Sequence, residues 1–194
     1  MRTILIPAAG AGLRMRGADK LLEIVDGDPL LRRQALAALA TAARVLVTLP
    51  GNLPDRQEAR RKALAGLSVE MRAIDAAEGM SASVRAAAGF APGALMVLPA
   101  DMPGLRTEDL EAVWSAAEAE PWRIWRGASA DGRPGHPVVF PAAMLGELAA
   151  TTGDAGGRAV VARHGAGLVA LPSDRAILDL DTPEDWADWR RRRD

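Results

Sequence analysis

The chain has no cysteine, and that absence removes disulfides, thiolate zinc sites and cysteine nucleophiles together. Tyrosine is missing as well, and aromatics make up only 4% of the residues, too few for the stacking platforms with which RNA-binding sheets hold bases. Neither sign of charge is in excess. A net charge of −1 gives no electrostatic case for nonspecific binding to nucleic acid or membrane. No apolar run approaches the length of a membrane span. Met1-Arg2 leads straight into an apolar stretch without a small-residue cleavage site, so no signal peptide is expected and a cytoplasmic protein is the default.

What is present is ordinary for a globular protein. The 194 residues are 49% hydrophobic and 25% charged, enough for one domain over 1–194 with a core of its own. Period and punctuation predict strands at 3–7, 44–49, 68–74 and 94–98. Between and after them fall helices at 28–43, 55–67, 81–90 (Ser81 as N-cap) and from Thr107, also as a cap. Strand alternating with helix implies a parallel, helix-covered sheet. Past Pro121 the pattern changes. A strand pair at 122–127 and 137–140 flanks the loop 131–136, followed by helices at 142–150 and 156–164. Late strands at 167–171 and 176–180 and a last helix from Pro183 complete an α/β domain with a mixed sheet.

The stretch Ile4 to Lys20 is the most informative. It begins as a buried strand and passes into a loop of small residues with Arg14, Arg16 and Lys20. Gly10 and Gly12 lack a Cβ, so backbone N–H groups can approach an anion closely there. A nucleoside triphosphate cradle at the end of the first strand is the expectation. Spacing rules out two familiar forms. The P-loop needs Lys followed by Ser or Thr after its second glycine, whereas Lys20 lies between Asp19 and Leu21. The dinucleotide fingerprint needs a third glycine where Met15 stands, and an acidic residue where the second strand runs into Leu49-Pro50.

The pattern that remains is Ala8-Ala9-Gly10-x-Gly12-x-Arg14-Met15, then Asp19-Lys20-Leu21-Leu22. In order along the chain come Gly79-Met80-Ser81-Ala82-Ser83-Val84, Leu98-Pro99-Ala100-Asp101-Met102-Pro103, Gly135-His136-Pro137-Val138, Gly153-Asp154-Ala155-Gly156-Gly157-Arg158 and Asp179-Leu180-Asp181-Thr182-Pro183. Together they resemble the MobA/MocA-like nucleotidyltransferases, most closely the molybdenum cofactor cytidylyltransferases. The resemblance implies a Rossmann-like three-layer fold of the nucleotide-diphospho-sugar transferase type, with a mixed, mostly parallel sheet. The implied reaction is Mg²⁺-dependent transfer of CMP from CTP to molybdopterin-type cofactor, with release of pyrophosphate and delivery of the product to a molybdoenzyme. Gly12, where many relatives carry Ser, and Arg16, where the family has Gly, depart from its pattern.

Bringing two anions together makes charge neutralisation and positioning the main catalytic needs. Asp101, just past a buried strand, is the first carboxylate candidate for Mg²⁺, which favours one or two carboxylates with phosphate and water oxygens. By resemblance Asp181 is the second, with Asp179 the competing choice. Thr182, Pro183 and Asp185 also read as a plain helix cap. Arg14 and Lys20 would contact the triphosphate, and Ala8, Ala9, Gly10, Gly12, Gly79 and Ser83 the rest of the nucleotide. The Ala-Ala-Gly form leans toward a pyrimidine base and so to CTP, with GTP and UTP left open. His136 and Arg158 would meet the acceptor, with Arg133 and Asp154 less supported. Three readings compete: the cytidylyltransferase, a transferase using another triphosphate and a sugar phosphate or similar acceptor, and a noncatalytic chaperone for the cofactor.

Overall fold

A computed structural model describes residues 1–10, 15, 18–153 and 156–192. In β1 (Arg2–Pro7) the consecutive residues Ile4, Leu5 and Ile6 are all fully buried. Successive side chains of a strand point to opposite faces, so such a run needs cover on both sides of its sheet. The strands β2 (Ile24–Val25) and β3 (Asp28–Pro29) form a separate antiparallel ribbon. In the main sheet β4 (Arg44–Pro50) lies parallel to β1, β5 (Glu70–Ile74) parallel to β4, and β6 (Ala94–Val97) parallel to β1 on its other side. β7 (Trp125–Ala128) and β8 (Pro134–Phe140) are antiparallel to each other, with β8 antiparallel to β6. β9 (Gly167–Ala170) runs parallel to β7. The order is β5-β4-β1-β6-β8-β7-β9, a mixed, mostly parallel sheet of seven strands.

Helices cover both faces. On one, α1 (Leu30–Leu39), α2 (Pro54–Ala63) and α4 (Thr107–Ala119) enclose Ile4, Ile6, Val45, Val47 and Met96. On the other, α3 (Met80–Phe90), α5 (Leu145–Ala149) and α6 (Arg158–His164) pack over Leu5, Leu46, Leu95, Val97 and Phe140. The last helix, α7 (Pro183–Arg191), buries Trp186 with Met15, Val25, Leu30 and Leu180. This third cluster ties the end of the chain to the segment following β1.

Several local expectations change. The first helix starts later than 28, because Asp28 and Pro29 pair with the preceding ribbon strand. Ser81 lies inside α3 and caps nothing. Gly79, at φ +71°, is the cap, and the Ser81 hydroxyl accepts the Gly156 N–H at 3.2 Å. Thr107 is likewise the first residue of α4, with Arg106 as its cap. The segment 176–180 is not a strand. The His136 N–H bonds to the Ala176 carbonyl at 2.7 Å, but the N–H groups of Ile177 and Leu178 turn back to the Asp174 carbonyl.

That crossing needs a glycine on β8. A Cβ at Gly135 would collide with the Ala176 carbonyl oxygen. Gly135→Ala is therefore expected to destabilise the protein by about 1–3 kcal/mol, the usual overpacking cost. It should also lower activity by shifting the segment that leads to Asp181. Thermal melting beside a turnover assay checks both, and a variant with wild-type values in each would contradict the close contact.

Candidate active site

Three distant pieces of chain meet at the carboxyl end of β1 and β6. The first is the segment after the glycine loop, where Lys20 opens a short 3-10 turn capped by Asp19, whose carboxylate accepts the Leu21 N–H at 3.1 Å. The second is the loop beyond β6 that carries Asp101. It is pinned to α1, where the buried Gln34 donates to the Met102 carbonyl at 2.7 Å and Arg33 donates to the Pro103 carbonyl. The third is the approach to α7. There Thr182 and Asp185 cap each other's N–H groups, and the Asp185 carboxylate also accepts the Asp181 N–H at 3.2 Å. The cap read from the sequence is thus real, and the Asp181 side chain takes no part in it.

That side chain faces Lys20. The Lys20 Nζ donates to Asp101 Oδ2 and to Asp181 Oδ1, each at 2.6 Å. All three side chains keep some exposure, between 16% and 26%, so a solute can reach them. Burial alone would lower the proton affinity of the Lys20 ammonium, but the two carboxylates outweigh it and its pKa is raised. Lys20 is therefore a fixed cation at neutral pH. Asp179 lies close by without joining the bridge. Burial first, then repulsion from Asp181 and Asp101, raises its carboxyl above the usual range.

The glycine loop is held from beneath by a residue the sequence did not single out. Arg60 on α2 is only 1% exposed. Its Nε and one terminal nitrogen grip both Asp19 oxygens, at 2.8 and 3.0 Å, and the other terminal nitrogen donates to the carbonyls of Ala8 and Gly10 at 2.8 and 3.0 Å. One guanidinium thus fixes both ends of the loop. Its helix reads simply as Arg-rich, and nothing in the spacing marks which arginine turns inward. Its neighbour one turn earlier, Arg56, also approaches Asp19, at 3.7 Å.

The other sequence-selected residues divide. Ala8 and Ala9 are buried just past the end of β1 and Gly10 is exposed, while Gly79, the N-cap of α3, is half-buried. Ser83 is 2% exposed, and its hydroxyl shares a hydrogen bond of 2.8 Å with Thr48, which joins α3 to β4. His136 sits in β8 and not in an exposed loop. Arg133 is neutralised by Asp131 and Asp174 on the surface. Gly12, Arg14, Arg16 and Asp154 lie outside the described residues.

His136 and Arg158 both line a cavity of about 260 Å³ between the sheet and α3 and α6, beside the end of β1. Burial, then the positive charge of Arg126, pushes the His136 pKa down to about 4, with Asp101 pulling weakly the other way. The imidazole is neutral at pH 7. Because the folded pKa lies below the unfolded value, the resulting stability is complete above about pH 6.5 and is lost as pH falls toward 4. The loss should reach about 3 kcal/mol. Denaturation at pH 7 and pH 4.5 for the wild type and His136→Gln tests this. The variant should lose clearly less stability on acidification, and equal losses would contradict a neutral buried imidazole.

The described part of the site holds a fixed cation, Lys20, between two carboxylates at the carboxyl ends of β1 and β6. Residues 4–168 match the MobA-like NTP transferase domain. This chain belongs to the MobA-like NTP transferase family, and it is a nucleotidyltransferase. A relative called molybdenum cofactor guanylyltransferase, from Cereibacter sphaeroides, is 31% identical over 191 residues, which is 94% of this chain and 92% of that protein. Among solved structures, the MobA-like domain is similar to Rv0371c from Mycobacterium tuberculosis, with a TM-score of 0.80 and 27% identity over 98% of this chain and 95% of that one. A complex of Rv0371c with manganese superposes with a TM-score of 0.75 at 24% identity, covering 96% of each chain. The MobA-like fold here is accordingly the three-layer nucleotide-diphospho-sugar transferase type.

The donor set fits a divalent cation. No group of three or more metal-ligating side chains occurs among the described residues, so a cation would rest on Asp101 and Asp181 with substrate and water oxygens completing its shell. The pair already gathers around a positive charge, the Lys20 ammonium. Among the described residues no helix is long and apolar enough to cross a membrane.

Proposed function

We propose that this chain transfers the nucleotidyl group of a nucleoside triphosphate to the terminal phosphate of molybdenum cofactor, releasing pyrophosphate. The observation that carries the reading is the Lys20 ammonium held 2.6 Å from both Asp101 and Asp181 at the rim of the glycine loop. In the reaction an acceptor phosphate oxygen attacks the α-phosphorus in line. The bond from that phosphorus to the oxygen bridging to the β-phosphate breaks, and pyrophosphate leaves with the bonding electrons. Lys20 and Arg14 neutralise the triphosphate, and the N–H groups around Gly10 and Gly12 orient it. Asp101 and Asp181 would hold Mg²⁺, which supplies charge stabilisation at the phosphoryl oxygens. Manganese bound to Rv0371c supports a divalent ion in this role. His136 and Arg158 are placed on the acceptor side, and the whole chain is read as one catalytic domain in the cytoplasm.

Cytosine is the proposed base, supported by the Ala8-Ala9-Gly10 form of the loop, which by resemblance goes with pyrimidine nucleotides. A second reading, guanine, is favoured by the name of the 31% identical relative, a guanylyltransferase. Pyrophosphate release with each of the four nucleoside triphosphates, Mg²⁺ and molybdenum cofactor separates these. The expected result is release with CTP. Release with GTP alone would move the assignment to the second base, and tight cofactor binding with no release from any triphosphate would leave a cofactor chaperone in place of an enzyme.

A further inference from the structure

The cavity beside the site has an unusual lining. Its walls are largely apolar, with Val97, Val138 and Phe140 among them, yet two guanidinium groups border it, those of Arg126 and Arg158. Neither has a carboxylate partner among the described residues. Arg126 projects from β7 and is half-buried. Its Nε donates to the Gly135 carbonyl at 2.9 Å, which fixes the plane of the group, and its terminal nitrogens have no partner among the described residues. Burial and the like charge of Arg158 lower its proton affinity, as expected for a half-buried cation with a second one beside it. His136 lines the same cavity, and its buried Nδ1 has no hydrogen-bond partner among the described residues.

A half-buried Arg126 beside Arg158 at one largely apolar cavity, neither with a carboxylate partner among the described residues, is stabilised when a ligand brings the opposite charge. A singly charged carboxylate would leave one of them uncompensated. A phosphate monoester, doubly charged near neutral pH, matches both, and each planar guanidinium can offer it paired N–H donors. We infer that Arg126 and Arg158 form a clamp for the dianionic phosphate of the acceptor, whose organic body packs against Val97, Val138 and Phe140. This deepens, and rests on, the transfer reaction proposed above. The location suits that role, because the cavity is also bordered by Pro7 and Pro99, at the strand ends that lead to Ala8 and Asp101. A phosphate held there faces the triphosphate site from the acceptor side. Arg126 thereby becomes a determinant of acceptor class that the sequence pattern does not mark.

Phenyl phosphate and benzoate, a dianion and a monoanion on the same ring, are suitable probes in calorimetric titrations of the intact protein. The wild type should bind phenyl phosphate at least about tenfold more tightly than benzoate. Arg126→Gln and Arg158→Gln should each weaken phenyl phosphate about tenfold or more while leaving nucleoside triphosphate affinity unchanged, and the triphosphate and phenyl phosphate should bind together. Arg158 is exposed and its side chain makes no hydrogen bond or ion pair among the described residues, so its variant carries the test even if loss of the Gly135 contact unfolds the Arg126 variant. Unchanged phenyl phosphate affinity in a folded variant, benzoate binding as tight as phenyl phosphate, or displacement of the probe by the triphosphate would overturn the clamp. A wild type that never releases pyrophosphate yet shows the Arg126-dependent selectivity would sink the transfer reading alone.

Discussion

Asp101→Asn should reduce nucleotidyl transfer by about a thousandfold or more while leaving the melting temperature within a few degrees of the wild type. The expected size follows from what the carboxylate does. It shares the Lys20 ammonium with Asp181 and is the best placed group to hold a divalent ion against the triphosphate. Removing one preorganised charge from such a site costs roughly a hundred- to a thousandfold in turnover, and here the same change also unbalances Lys20. The fold should survive because the loop carrying Asp101 is anchored through its backbone, by Gln34 to Met102 and by Arg33 to Pro103, and not through the aspartate. Pyrophosphate release and a thermal melt on one preparation report both quantities. Turnover within tenfold of the wild type would remove Asp101 from the chemistry.

Arg60→Met should act in the opposite way, with its largest effect on stability. The substitution keeps much of the volume but strips the charge from a residue that is 1% exposed. Asp19 would then be left beside the more distant Arg56, and the carbonyls of Ala8 and Gly10 would lose their donor. Breaking a buried ion pair by removing one partner costs about 3–5 kcal/mol. In a chain of this length that corresponds to a fall of roughly 10 °C in melting temperature. Because Arg60 holds both ends of the glycine loop, the KM for the triphosphate should also rise, whereas the affinity of the acceptor-side cavity for phenyl phosphate should not change. A melting temperature within about 2 °C of the wild type would show that the loop keeps its shape by other means. Arg60→Lys, which retains a charge but not the fork, should recover only part of the loss.

These two arginine and aspartate positions show where the sequence was readable. Local pattern marked β1, β4 and β6 because three buried apolar runs end in small-residue or proline punctuation. It marked Asp101 because the loop after a buried strand is where such sheets bind ligands. The α7 cap was readable residue by residue, from Thr182 to Asp185. What local pattern cannot carry is tertiary pairing. The strand expected at 176–180 failed because the N–H groups of Ile177 and Leu178 are taken by the Asp174 carbonyl, a choice that no alternation of side chains reports. Ser83 has the residue type of a ligand contact, and nothing beside it in the chain shows that its hydroxyl shares a hydrogen bond with Thr48 of a neighbouring strand. Arg60 and Arg126 look like their solvent-facing neighbours in sequence. Only packing decides that one turns under the glycine loop and the other toward a cavity.

The proposal that Lys20, Asp101 and Asp181 form the centre of nucleotidyl transfer is tested most directly by following label from an α-phosphate. Triphosphate carrying the label at that position, supplied with Mg²⁺ and molybdenum cofactor, should pass it to the cofactor with one pyrophosphate released per label transferred. Lys20→Ala, folded by thermal melt, should show transfer at background. Equal transfer by the wild type and Lys20→Ala, or label that never leaves the nucleotide in the wild type, would contradict it.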